Sequence, residues 1–118
     1  MTDVVVFHNS ACSTSRHALE TLENAGVQAH IVHYLKTPLD HEQLLELIGK
    51  LDDPPSDLVR KDGFFKQLGL AADDYLTPAA VAALLVEHPR LMQRPVIEKD
   101  GRAIIGRPKD RVADFIPG

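Results

Sequence analysis

The sequence is short of several things at once, and each shortage excludes a class of protein. It has one cysteine, no tryptophan, and only four phenylalanines and two tyrosines. A single thiol cannot close an internal disulfide, so a disulfide-stapled secreted scaffold is excluded. A self-contained two-cysteine redox cycle is excluded for the same reason: redox chemistry at Cys12 has to borrow its second thiol from another molecule. No apolar run approaches the roughly 20 residues that span a bilayer, so no membrane partner is expected. Met1-Thr2-Asp3 offers no basic region ahead of Val4-Val5-Val6-Phe7. That opening reads as a strand rather than a secretion signal, and a cytoplasmic protein is expected. Positive charge is also in deficit, with 13 Lys and Arg against 17 Asp and Glu and a net charge of −4. Nucleic acid is therefore not the expected partner.

What is present is globular. Of 118 residues, 44% are hydrophobic and 25% charged, a balance that supports one core without staples. A single domain over residues 1–118 is expected, and a monomer. Asp3 to Phe7 reads as a first strand. From Ser13 the period becomes helical through Leu19, Leu22 and Ala25, and Gly26 stands where a left-handed C-cap belongs. Ala29 to Tyr34 reads as a second strand, parallel to the first through a right-handed crossover.

Residues from about 38 to 90 read as helical. Asp40 and Gln43 have capping-box spacing ahead of Leu44, Leu47, Ile48 and Leu51. Ser56 can cap a short helix ending near Arg60, Lys61-Asp62-Gly63 reads as a turn, and Thr77-Pro78 opens a further helix ended by Pro89. Asp100-Gly101 between apolar runs signals a hairpin, and Pro108 can open a last helix with Val112, Phe115 and Ile116 inside. The string is β-α-β, helices, then β-β-α. It predicts an α/β fold with a mixed four-stranded, thioredoxin-like sheet and a helical insertion.

The chemistry gathers at Cys12, where a strand hands over to a helix. Unpaired N–H groups at a helix start favour an anion and lower the pKa of a thiol placed there. His8 and Arg16 can add to that field. The same N–H groups, with the hydroxyls of Ser13, Thr14 and Ser15, suit a tetrahedral oxyanion. The plainer reading of a lone cysteine is a small buried hydrophobe, but this one is enclosed by hydroxyl residues rather than an apolar stripe. Arg60, Arg94 and Arg107 fall at element ends and are suited to multi-point oxyanion contact, although single arginines are more often solvated surface charges. In a thioredoxin-like fold Arg94-Pro95 occupies the loop beside the first helix, and Pro95 is expected to be cis. His30 and His33, three apart, do not share a strand face, and no structural-zinc spacing is present, so no metal site is expected.

Five segments in order resemble the glutathione- and glutaredoxin-dependent arsenate reductase family over nearly the whole chain. They are Phe7-His8-Asn9-Ser10-Ala11-Cys12-Ser13-Thr14-Ser15-Arg16, Leu58-Val59-Arg60-Lys61, Gln67-Leu68-Gly69-Leu70, His88 to Pro95, and Gly106-Arg107-Pro108. Ser10 and Ser13 depart from the proline and glycine common there. The resemblance implies a thioredoxin-like fold with a helical insertion, no bound cofactor, and glutathione as co-substrate. It implies that Cys12 attacks the arsenic of arsenate, that His8 helps to lower the thiol pKa, and that Arg60, Arg94 and Arg107 hold the oxyanion. Glutathione then attacks the adduct, and glutaredoxin resolves the mixed species as arsenite leaves.

Other readings compete. A cysteine phosphatase needs an arginine six positions after the cysteine, where this chain has Ala18. A regulator that docks on RNA polymerase through a Cys-x-x-Cys switch would need a thiol where Ser15 stands. A glutathione-dependent thiol reductase of the same fold is the nearest alternative.

Overall fold

The computed structural model of the protein describes residues 4–108 and 110–116. The expected strand start at Asp3 lies outside the described residues. The chain runs β1 (Val4–Phe7), α1 (Ser13–Asn24), β2 (Ala29–Val32), α2 (His41–Lys50), α3 (Gly63–Gln67), α4 (Pro78–Glu87), β3 (Val96–Lys99), β4 (Arg102–Ile105) and α5 (Arg111–Phe115). Short 3₁₀ turns at Pro55–Leu58, Ala72–Asp74 and Pro89–Leu91 join the helices between β2 and β3. The sheet order is β2-β1-β3-β4. β1 pairs parallel with β2 and antiparallel with β3, and β3 pairs antiparallel with β4. This is the expected thioredoxin-like sheet with helices inserted between its halves.

Alternation along the strands divides the interior in two. Val4 and Val6 of β1, Ile97 of β3 and Ile104 of β4 face α1 and α5, packing with Ala18, Leu22, Val112 and Ile116. Phe7, Val96, Ala103 and Ile105 face the other way, onto Leu44, Leu47, Leu58, Val81, Leu85 and Leu91. Each Val, Leu, Ile or Phe side chain among them, fully buried, contributes about 1.5–3 kcal/mol. The one-residue period thus places α1 behind the sheet and the inserted helices in front of it.

The local signals work as their chemistry requires. Asp40 accepts from Gln43 N at 2.8 Å while Gln43 Oε1 accepts from Asp40 N at 3.0 Å, closing the capping box of α2. Thr77 Oγ1 accepts from Ala80 N at the start of α4. Asp100 and Gly101 take φ of 55° and 79°, the pair of left-handed residues that a tight hairpin needs.

Four boundaries differ from expectation. The short helix before Arg60 is a 3₁₀ turn over Pro55–Leu58 with Pro54 at its N-cap, so Ser56 lies inside it and caps nothing. β2 ends at Val32 because the chain turns at His33, whose carbonyl accepts from both Lys36 N and Thr37 N at 2.9 Å. Lys61-Asp62-Gly63 is more than a turn: Asp62 caps α3, accepting from Phe65 N at 3.2 Å. The last helix starts at Arg111 rather than at Pro108, whose carbonyl accepts from Arg111 N at 3.0 Å.

Gly106 shows how tightly the end of β4 meets the loop before β3. Its N–H donates to Pro95 O at 2.8 Å. A Cβ there would lie 2.8 Å from Pro95 Cγ and 3.1 Å from both Ile97 Cδ1 and Val112 Cγ2. Gly106→Ala is expected to cost about 1–3 kcal/mol by overpacking, read from the midpoint of urea unfolding. An unchanged midpoint would mean that this contact relaxes freely.

Candidate active site

The site begins with the turn from β1 into α1. His8 N donates to Val32 O at 2.9 Å, carrying the parallel ladder one step past β1. Asn9 then folds the chain: its Oδ1 accepts from Ala11 N at 2.9 Å and its carbonyl from Cys12 N at 3.0 Å. Cys12 is the N-cap of α1, in extended conformation at φ −99° and ψ 122°, and no side-chain oxygen caps the helix. Its carbonyl accepts the first helical bond, from Arg16 N at 3.0 Å. The N–H groups of Ser13, Thr14 and Ser15 precede that bond and have no acceptor within the helix. The sulfur stands where a capping oxygen would.

Cys12 is only 9% exposed, but its cover is not the apolar stripe of a core residue. Arg107 Nη2 donates to Sγ at 3.4 Å, and Arg107 Nε donates to Arg94 O at 2.8 Å. Burial pushes the Cys12 thiol up. The Ser15 N–H, the Arg94 guanidinium and the Thr14 N–H pull it down, and together they outweigh burial, leaving the thiol below its ordinary value of 9.0. The folded state therefore favours the thiolate. The stability this brings is fully present above pH 9.0, the value expected of the unfolded chain, and is lost as pH falls through the lower folded value. Iodoacetamide alkylation followed against pH is expected to rise with a midpoint below 9.0. A midpoint at or above that value would show that burial prevails.

Two pieces of backbone bring the arginines in. The segment after the Pro55–Leu58 turn pairs antiparallel with the segment before β3 through a Val59–Met92 bridge. Arg60 N donates to Leu91 O and Gln93 N to Leu58 O, both at 2.7 Å. That ladder carries Arg60 alongside Arg94. The Arg94–Pro95 bond is cis, and so is Arg107–Pro108, which was not expected. Arg60 and Arg94 line one cavity of about 180 Å³ with Asn9, Leu35, Phe64 and Arg90. Arg94 Nε is buried there with no hydrogen-bond partner among the described residues, a donor facing unmet demand. Arg60 Nε lies 3.7 Å from Asp62 Oδ2.

Four sequence expectations change in detail. His8 does not supply positive charge to the thiol. It is buried, and desolvation, with lesser effects of His33 and Arg16, holds its pKa below 6.5, so at neutral pH the ring is mostly uncharged. Its Nδ1 lies 2.7 Å from Ser15 Oγ, not on the sulfur. The Ser15 hydroxyl is in turn unavailable to an external anion, since it is fully buried and also accepts from Asn9 N at 3.1 Å. Only its N–H faces Cys12. Arg16 is exposed and spends Nη1 on Ser10 O at 2.8 Å, tying down the turn. Ser13 and Thr14 line, with Arg16, His17 and Glu20, a separate outer hollow rather than the Arg60–Arg94 cavity. Of the two, Thr14 reaches the sulfur through its main-chain N–H.

His33 packs edge-on to His8, ring centres 5.6 Å apart. Sequence reasoning missed Tyr34, which is buried, its hydroxyl donating to Met92 O at 3.4 Å. Burial raises its pKa, and the charges of Arg94, Cys12 and Arg60 all reach it. Position 34 read only as the end of a strand, and nothing in its spacing linked it to Cys12.

The sheet order and the thiol at the β1–α1 turn define a thioredoxin-like thiol protein. The chain belongs to the ArsC family, whose profile matches residues 7–115. It is 37% identical over 115 residues to the uncharacterized protein YfgD of Escherichia coli K12, covering 96% of each chain. It is 37% identical over 114 residues to an arsenate reductase of Neisseria meningitidis serogroup B, covering 95% of this chain and 97% of that one. The solved structure of an arsenate reductase from Vibrio cholerae superposes with a TM-score of 0.86 at 34% identity, covering 98% of both chains.

Proposed function

We propose that the protein reduces arsenate to arsenite in the cytoplasm, with electrons from glutathione and glutaredoxin. The observation that carries this reading is the Cys12 sulfur at an uncapped helix start, with Arg107 donating to it and Arg94 lowering its pKa. The lone cysteine requires an external reductant, which the reducing cytoplasm supplies as free thiol.

The steps balance as follows. Cys12 thiolate attacks arsenic(V), forming an S–As bond, and one arsenate oxygen leaves as water after protonation. Arg60, Arg94 and Arg107 hold the remaining oxygens, and the Thr14 and Ser15 N–H groups offset the charge. A glutathione thiolate then attacks the Cys12 sulfur. The S–As bonding pair stays on arsenic, which departs as arsenite, and a Cys12–glutathione disulfide remains. A glutaredoxin thiolate takes the glutathione, returning Cys12 as thiolate. Arsenic gains two electrons and two thiols lose them.

The test is arsenate-dependent NADPH oxidation coupled through glutathione, glutathione reductase and glutaredoxin. Turnover of arsenate supports the proposal. Turnover of a glutathione mixed disulfide with none of arsenate would instead make the protein a thiol reductase of the same fold.

A further inference from the structure

We propose that Asp53 and Arg111 act as a positioning pair that sets Arg107 against the Cys12 sulfur. The proposal rests on the reading of Cys12 as a thiolate nucleophile.

The pair is built into three parts of the fold. After α2 the chain runs beside β4, with a parallel Leu51–Ala103 bridge and Asp52 N donating to Ala103 O at 2.8 Å. One residue on, the Asp53 carboxylate takes over where a strand carbonyl would continue: Oδ2 accepts from Ile105 N at 3.0 Å. The same carboxylate meets Arg111 Nη1, 3.0 Å from Oδ1 and 3.2 Å from Oδ2. Arg111 Nη1 also lies 2.9 Å from Ile105 O and 3.4 Å from Arg107 O. Both polar groups of Ile105 and the carbonyl of Arg107 are therefore held by one ion pair, from the inserted segment on one side and α5 on the other.

Arg107 follows directly. Gly106 between them is pinned to Pro95 O, so clamping Ile105 and the Arg107 carbonyl fixes the direction in which the Arg107 side chain leaves. That side chain runs to Arg94 O and Cys12 Sγ. Among the described residues the neighbouring cations are engaged elsewhere: Lys61 Nζ by Ser56 O at 2.6 Å, and Arg102 by Asp52 at 2.5 Å. Asp53 is also the less exposed partner, with 16% of its side chain accessible against 32% for Arg111. In such a setting a charge-assisted pair orients as well as attracts. Neither residue touches the sulfur, so their effect passes through Arg107.

The test measures Cys12 alkylation against pH in the intact chain, with thermal unfolding beside it. Asp53→Asn keeps the shape and removes the charge. It is expected to raise the alkylation midpoint and slow alkylation at neutral pH by about three- to tenfold, a change of up to one pKa unit. Arg111→Lys, whose ammonium sits one bond closer to the backbone than the Nη1 that makes all of these contacts, is expected to show a smaller shift in the same direction. The decisive arm is Asp53→Asn in an Arg107→Gln background, where the shift should disappear because the residue it acts through is gone. An equal shift with and without Arg107, or lower thermal stability with an unmoved midpoint, would overturn the proposal and reduce the pair to scaffolding. Because the readout is thiol reactivity without arsenate, it separates from the functional reading, which fails only in the coupled assay.

Discussion

In the coupled assay, Cys12→Ser is expected to lose arsenate-dependent NADPH oxidation by at least about a thousandfold, down to the background of the coupling enzymes. The substitution changes one atom and removes the only group in the chain able to be a soft anionic nucleophile near neutral pH. The field that lowers a thiol pKa is far too small to ionise an alcohol. The fold should not suffer. Serine is among the preferred N-cap residues, and position 12 already has N-cap geometry with no oxygen filling the role. The variant should therefore unfold at the same temperature as the parent or slightly above it. Loss of turnover with retained or raised stability identifies the sulfur as the reacting atom. Retained turnover would end the proposed mechanism.

The second large effect is at Arg94. Arg94→Lys keeps the charge and discards the planar fork. Hydrogen bonds to charged groups contribute about 1.5–3 kcal/mol, so losing the Nε donor and one arm of the fork should raise the KM for arsenate roughly ten- to hundredfold. The alkylation midpoint of Cys12 should rise in parallel, since the Arg94 guanidinium is among the groups that hold the thiol down. A KM that stays level while the midpoint climbs would assign Arg94 to the sulfur alone. If neither moves, Arg94 is not part of the site.

Much of this architecture is legible in the residues because it depends on short-range chemistry. β1, α1, the capping box at Asp40, the Thr77-Pro78 start and the Asp100-Gly101 hairpin each carry their signal within a few positions. α3 escaped because five residues complete little more than one turn and offer no periodicity, so Asp62 read as a turn residue when it was a cap. The site divides in the same way. Cys12 at a helix start is a local fact. The approach of Arg60, Arg94 and Arg107 depends on the Val59–Met92 bridge and the Gly106–Pro95 contact, and no pattern of spacing contains these. Hydroxyl partners are equally hidden: Ser15 looks free in the sequence, yet its oxygen is committed to His8 and to Asn9 N. Asp53 and Arg111, 58 positions apart, look like ordinary surface charges until the strands bring them together.

On the proposed function, the Val59–Met92 bridge and the Gly106–Pro95 contact would also tie oxyanion binding to the integrity of the whole molecule. The groups that would grip the ligand come from regions remote in the chain, so an unfolded or half-folded polypeptide has nothing left with which to hold it. Occupancy and cooperative folding then become one equilibrium. Saturating the pocket at about a hundred times its dissociation constant would add about 2.7 kcal/mol to the native state, so the melting curve would act as a binding isotherm.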